Sequence, residues 1–199
     1  MKLYDVAVSG NCYKVRLLAA LADIPLELAP VDMRAGEHKH PEFLQRNPWG
    51  EVPVLQDGDM TLRDSQAILV YLAAKHGRSE WWPADPAAQA KIVGWLSVAA
   101  NELQHGPATA RRADRFGIAL DKTEPLRRAG RILALLEAHL AGCDWLVGSR
   151  PTLAECAVMP YVALAPEGGI DLAPYPSVLA WIDRIRALPG FVPMPGIPA

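Results

Sequence analysis

Cysteine is scarce in this chain of 199 residues. Its three, Cys12, Cys143 and Cys156, are an odd number, widely spaced, and nowhere form a C-x-x-C pair. That argues against a disulfide framework and fits free thiols in a reducing cytoplasm. A charge excess is missing too: 20 Lys and Arg stand against 22 Asp and Glu, for a net charge of −2. Nucleic acids and membrane surfaces both demand a basic excess, so neither is an expected partner. No basic leader precedes an apolar core at the start, and no apolar run is long enough to span a bilayer. There is no G-x-S-x-G elbow, and His38, His40, His76, His105 and His139 show no pattern that would set one beside a serine. A hydrolase triad is therefore not expected. His38 and His40 stand two apart with no thiol or carboxylate set near them, so no metal site is expected either. Internal repeats and low-complexity segments are also lacking.

What is present is ample apolar material. Hydrophobic residues make up 51% of the chain and charged ones 21%, enough for a packed core in one large domain or two modest ones. The first 77 residues read β-α-β-α-β-β-α. "KLYDVAV" (2–8) reads as a strand, and 11–22 as a helix with Val15, Leu18, Ala19 and Ala22 on one face. "LELAPVD" (26–32) follows as a second strand, and "PEFLQR" (41–46) as a short helix with Pro41 at its first position. Apolar runs on both sides of Asp57-Gly58 predict a hairpin over 52–62. "DSQAILVYLAAKHG" (64–77) reads as a helix capped by Asp64 or Ser65 and stopped by Gly77. A crossover helix followed by a closing hairpin predicts a small mixed sheet with helices packed on it.

"RSEWWPADP" (78–86) reads as an exposed linker, and the rest, 87–199, as all helical. Ile92, Trp95, Leu96, Ala99 and Leu103 recur at helical spacing over 86–105, with Gly106-Pro107 expected to break or kink that helix. Leu126, Ala129, Leu133, Leu136 and Leu140 form the stripe of a second helix. Thr152 and Glu155 have the spacing of a capping box ahead of a third. Val178, Trp181, Ile182 and Ile185 mark the inner face of a last one, stopped by Pro189-Gly190.

Several short stretches have the shape of ligand contacts. Ser9 lies between the first strand and the first helix, where it is first of all a helix cap; that same junction, at the C-terminal edge of a sheet, is where α/β folds hold ligands. Ser9-Gly10-Asn11-Cys12 has C-x-x-C spacing with serine first, which rules out an exchange disulfide but leaves a hydroxyl able to donate to a thiolate. Cys12 itself reads as a small buried hydrophobe. Val52-Pro53 opens a strand, either as an ordinary edge proline or as a cis step that turns the Val52 backbone outward to pair with a peptide-like ligand. Asp64 and Ser65, beyond capping, could hold an ammonium and a carboxylate. His38 and Lys39, solvated by default, could offer donors to a second carboxylate. Arg111, Arg112 and Arg115 read as a solvated helix face, with contact to an anionic substrate as the alternative.

Together "VSGNCYKVR", "GEHKHPEFLQRNPWGEVPVLQDGD", "LRDSQAILVYL", "GSRPTLAECAV" and "ALPGF" resemble the cytosolic glutathione transferase family, nearest its serine-dependent phi- and theta-like bacterial members. The resemblance runs over essentially the whole chain. It implies a thioredoxin-like domain at 1–77, with a four-stranded mixed sheet, that binds glutathione as co-substrate. A linker at 78–86 would join it to an all-helical domain at 87–199 that shapes an electrophile pocket, in a cytoplasmic homodimer; Trp49, as an aromatic in the loop before the proline strand, could anchor a contact between its subunits. By the same resemblance Ser9 takes the place of the thiol-activating hydroxyl, with Asn11 or Cys12 as alternative contacts to the sulfur. Val52, with Pro53 cis, would pair with the cysteinyl backbone. Asp64 and Ser65 would hold the γ-glutamyl end with Glu51 beside it, and His38 and Lys39 would approach the glycine carboxylate. Thr152 and Glu155 match the family's helix-capping box, and no metal is implied. The zeta-like isomerases begin Ser-Ser-Cys, and Asn11 stands here where their cysteine would align. A non-catalytic glutathione-binding scaffold, or a glutathione-dependent lyase, dehalogenase or isomerase, would share the same frame.

Overall fold

The computed structural model describes residues 1–199. Its sheet is built from β1 (Lys2–Asp5), β2 (Glu27–Pro30), β3 (Val54–Asp57) and β4 (Met60–Arg63), in the order β2-β1-β3-β4. The β1–β2 pair is parallel, and the other two pairs are antiparallel. A parallel neighbour requires a crossover, and α1 (Gly10–Leu21) supplies it. The Asp57-Gly58 turn closes the β3–β4 hairpin, with Gly58 at φ +58°. The first two strands are shorter than their apolar runs. After Asp5 the chain turns at once: Ser9 N–H donates to the Val6 carbonyl, and buried Asp5 pairs with Arg16 at 2.8 Å.

Helices α2 (Pro41–Arg46) and α3 (Ser65–Lys75) complete this half. Beyond it lie α4 (Pro86–Val98), α5 (Thr109–Phe116), α6 (Thr123–Leu140), α7 (Leu153–Ala163) and α8 (Pro176–Arg186), with no further strand. Helix α7 is the axis of the second half and is buried along nearly its whole length. It packs on α1 and α3, so apolar residues of both halves, Leu18 and Leu69 with Leu103, Val158 and Trp181, join one core. The capping box forms as expected: Glu155 accepts from Thr152 N–H at 2.7 Å, and Thr152 Oγ1 accepts from Ala154 N–H at 3.2 Å.

The structure departs from three readings for local reasons. The helix does not break at Gly106-Pro107; it widens into a π-helical stretch, Ala99–Ala108, that runs straight into α5. The wider turn makes room for the proline ring. Thr109 Oγ1 donates to the Gln104 carbonyl at 2.8 Å, and Gly106 lets α6 approach to where a Cβ would lie 3.1 Å from Ala129 N. Leu126 is exposed, because Pro125 takes the inward seat at the start of α6. The segment 78–86 is no free linker: Trp81 is buried, and its carbonyl accepts from Leu153 N–H at 3.1 Å.

Candidate functional site

Strand direction gathers the singled-out residues. The C-terminal end of β1 leads to Ser9, and β2, running parallel, leads at the same edge toward the 36–40 loop. Antiparallel β3 begins at that edge, directly after Val52-Pro53, and β4 ends there, directly before Asp64 and Ser65. The paired residues Tyr4, Val54 and Arg63 mark the line across three strands. One sheet edge therefore carries Ser9, Val52, Asp64 and Ser65.

Ser9 is half-buried and caps α1, its Oγ accepting from Cys12 N–H at 3.3 Å. A hydroxyl oxygen that accepts one hydrogen bond still carries a proton to donate, and the Cys12 thiol is one group within its reach. The turn is held from beneath by Arg16, which bonds Asp5 and, at 2.8 Å, the Ala7 carbonyl. Asn11 is half-buried in the first turn of α1. Cys12 is fully buried; burial pushes its thiol up to about 12, only partly offset by the Ser9 hydroxyl. It stays a neutral thiol at physiological pH, unfit to be a nucleophile.

The Val52-Pro53 bond is cis. Val52 is half-buried, and neither its N–H nor its carbonyl has a backbone partner in the chain. Buried Asn47 staples the preceding loop, donating to the Glu51 carbonyl at 2.8 Å and accepting from Trp49 N–H at 3.1 Å. Glu51 itself is exposed. Gly50, at φ +60°, lets this loop close on residues 38–39, since a Cβ there would lie 2.8 Å from the His38 carbonyl oxygen. Lys39 Nζ bonds the Trp49 and Gly50 carbonyls, both at 3.2 Å. Desolvation, then the neighbouring Lys39 and His40, lower the His38 pKa, so its ring is neutral at pH 7.

Asp64 caps α3 from a left-handed backbone, φ +72°, and accepts from Gln66 N–H at 2.9 Å and Ala67 N–H at 3.0 Å. For a non-glycine residue that conformation is strained, and such strain concentrates where function holds it. Ser65 is buried, its Oγ 2.6 Å from the Gln66 side-chain amide. Trp49 is 63% exposed and lies under the Arg63 guanidinium, 4.9 Å from the ring centre to the carbon.

Where the two halves meet, the structure holds a side chain that the sequence reading passed over and another that it misplaced. Lys14 is fully buried with no partner for its ammonium, and lies 5.3 Å from the centre of the Tyr161 ring. Burial lowers its pKa to about 7, with Asp64 pulling the other way. The signal was a charge on the inward stripe of α1, next to Val15. Arg111 is no solvated residue: it is buried and paired with Glu167 at 2.6 Å, while Arg112 and Arg115 are exposed as read. Helix α5 packs so closely on the turn at 165–168 that a Cβ on Gly168 would lie 2.6 Å from Arg111 N. No group of three or more His, Cys, Asp and Glu is arranged to hold a metal ion, and no helix is long and apolar enough to cross a membrane.

Comparison with known proteins adds a family to this geometry. Residues 1–74 match the model of the glutathione S-transferase N-terminal domain, and residues 113–189 that of the C-terminal domain. Glutathione S-transferase 3 of Zea mays is 34% identical over all of this chain and 97% of its own length. A crystal structure of a glutathione S-transferase from Pseudomonas fluorescens superposes with a TM-score of 0.90 at 33% identity, covering 97% of this chain and 98% of its own. A glutathione transferase homologue from Drosophila mojavensis, solved with bound glutathione, superposes with a TM-score of 0.85 at 26% identity, over 94% of this chain and 88% of its own.

Proposed function

The chain belongs to the glutathione S-transferase family, and from that premise we propose that it binds glutathione along this sheet edge and uses Ser9 to hold the thiol as thiolate. The observation that carries the reading is the Ser9 hydroxyl at the start of α1, on the same edge as the unpartnered Val52 backbone and the Asp64-Ser65 cap. A free thiol titrates near about 8.5, so at pH 7 it is mostly protonated. Lowering it by roughly two units takes about 2.7 kcal/mol, within reach of one charge-assisted hydrogen bond and a helix N-terminus. Ser9 donates to sulfur and is never the nucleophile; the thiolate attacks a small hydrophobic electrophile presented by the helical half.

The rest of the tripeptide follows the sheet edge. Val52 pairs with the cysteinyl backbone as an added strand would, Pro53 fixing the approach. Asp64 and Ser65, with Glu51 nearby, take the γ-glutamyl ammonium and carboxylate, and Asn11 lies at the sulfur end. His38, a neutral donor, and Lys39 face the glycine carboxylate. The chain then divides into a glutathione domain (1–77), a joining segment (78–86) and a helical domain (87–199), and acts as a cytoplasmic homodimer of the serine-dependent phi- and theta-like type. The exposed Trp49 ring suits a contact between subunits.

Isothermal titration with glutathione tests the reading. Wild type binds, and Asp64→Ala and Ser65→Ala each weaken binding tenfold or more, about 1.4 kcal/mol. Undiminished affinity in both variants would contradict it.

A further inference from the structure

A cleft of about 540 Å³ opens in the helical half, between α4, the end of α6 and the 142–148 stretch. Two indoles, Trp95 and Trp145, share its lining with Val98, Leu146 and Val147. The Trp95 indole N–H and His139 Nε2 both donate to the Leu146 carbonyl, at 3.2 and 3.1 Å. Leu146 N–H in turn donates to Glu155 at 2.7 Å. The cleft is thus held in shape by the chain itself, as ligand sites usually are. Its charge is of one sign: Lys91 stands exposed on the lining in no ion pair, and no Asp or Glu joins it there. Val147 is 6% exposed, yet its N–H donates to nothing in the chain, nor does that of Gly148 beside it. A backbone N–H in so buried a residue calls for an acceptor from outside the chain. Gly148 is left-handed, φ +70°, as in the backbone concavities that collect anions. Gly94 adds an independent sign. It lies mid-helix in α4, where glycine weakens a helix relative to alanine. A Cβ there would meet no atom within 4 Å, so nothing inside the chain requires a glycine. Its missing side chain leaves the cleft wall open beside Trp95.

We propose that this cleft binds a purine nucleoside monophosphate, its base against the two indoles and its phosphate on Lys91 and the Val147 and Gly148 N–H groups. A nucleobase presents a flat π-face to an indole, and the two rings of a purine cover the most indole surface. The phosphate oxygens are strong acceptors that carry negative charge. They match an ammonium and two amide N–H groups, with no carboxylate in the lining to repel them. The volume suits a ligand of nucleotide size, whereas a single-ring acid would leave most of it to water. The proposal stands apart from the glutathione reading. None of the cleft residues lies on the sheet edge that carries Ser9, Val52, Asp64 and Ser65.

Cys143 supplies the reporter. It lines the cleft and is half-buried, whereas Cys12 and Cys156 are fully buried, so iodoacetamide labels one site. Mass spectrometry follows the labelling rate against the concentration of AMP, with adenosine, inorganic phosphate and 2-naphthoate as controls. The expected result is that saturating AMP slows labelling about tenfold or more, that adenosine binds about tenfold more weakly, and that phosphate alone gives no protection. Lys91→Gln weakens AMP and leaves adenosine unchanged. Gly94→Leu melts no lower than wild type, because leucine is the better helix former, and loses the protection. No protection by AMP at millimolar concentration, equal affinity for AMP and adenosine, or unchanged protection in Gly94→Leu would overturn the proposal. Protection by 2-naphthoate as strong as that by AMP would also overturn it, making the cleft a general site for aromatic acids. So would a Cys143 shielded without any ligand, which would put a second copy of the chain on the cleft.

Discussion

The ammonium of Lys14, on α1, lies 5.3 Å from the centre of the Tyr161 ring on α7, fully buried and without a hydrogen-bond partner. A cation at the junction of the two halves costs stability whenever it is charged, because the ring and the nearby Asp64 only partly replace its hydration. Its pKa falls to about 7 in the fold, against 10.5 ordinarily. A depressed pKa contributes stability that is present above the unfolded value and is lost as pH falls through the folded one.

Stability against denaturant should therefore rise between pH 7 and pH 10 through this group, and Lys14→Met should remove that rise. At pH 6 the variant should be more stable than wild type by roughly 2–4 kcal/mol, as when a buried charge gives way to an apolar side chain. Urea titrations of both proteins at several pH values measure it. Parallel pH profiles would show that Lys14 is solvated in the native state.

The α7 cap makes a second prediction. Glu155 is buried and accepts from Leu146 N–H and Thr152 N–H, both at 2.7 Å, so it ties the 142–152 loop to the helix that forms the axis of the core. Glu155→Ala leaves two buried N–H groups without partners and should cost about 3 kcal/mol or more. Thr152→Ala, which loses the cap bond from Ala154 N–H and the hydroxyl's donation to Glu155 at 3.0 Å but leaves the Glu155 bonds to both backbone N–H groups, should cost about 1–2 kcal/mol. Chemical denaturation measures both, and the ranking is the test: a threonine variant as unstable as the glutamate one would mean that the carboxylate is not the main tie.

Much of this molecule was legible because its sequence signals are local. The Asp57-Gly58 turn, the Thr152–Glu155 box and the inward face of the last helix each follow from a few neighbouring residues, and each appears as read. Ser9 was legible as a cap for the same reason. The misses are tertiary. Pro107 sits inside a helix because Ala99–Ala108 widens around it, and no single-residue propensity announces a π-helical turn. Arg111 is buried because Glu167, 56 positions away, meets it. Tyr161 reaches the first turn of α1 only because Gly10 lacks a Cβ, a fit that exists only once α7 packs on α1.

The central claim is that the Ser9 hydroxyl holds the glutathione sulfur as an anion. The direct measurement is thiolate absorbance of bound glutathione as a function of pH, in wild type and in Ser9→Ala. Removing the donor should leave the dissociation constant of glutathione within about threefold while the bound thiol titrates roughly one to two pH units higher. Conjugation at neutral pH should fall about tenfold or more with it. A titration curve that does not move between the two proteins would contradict the account.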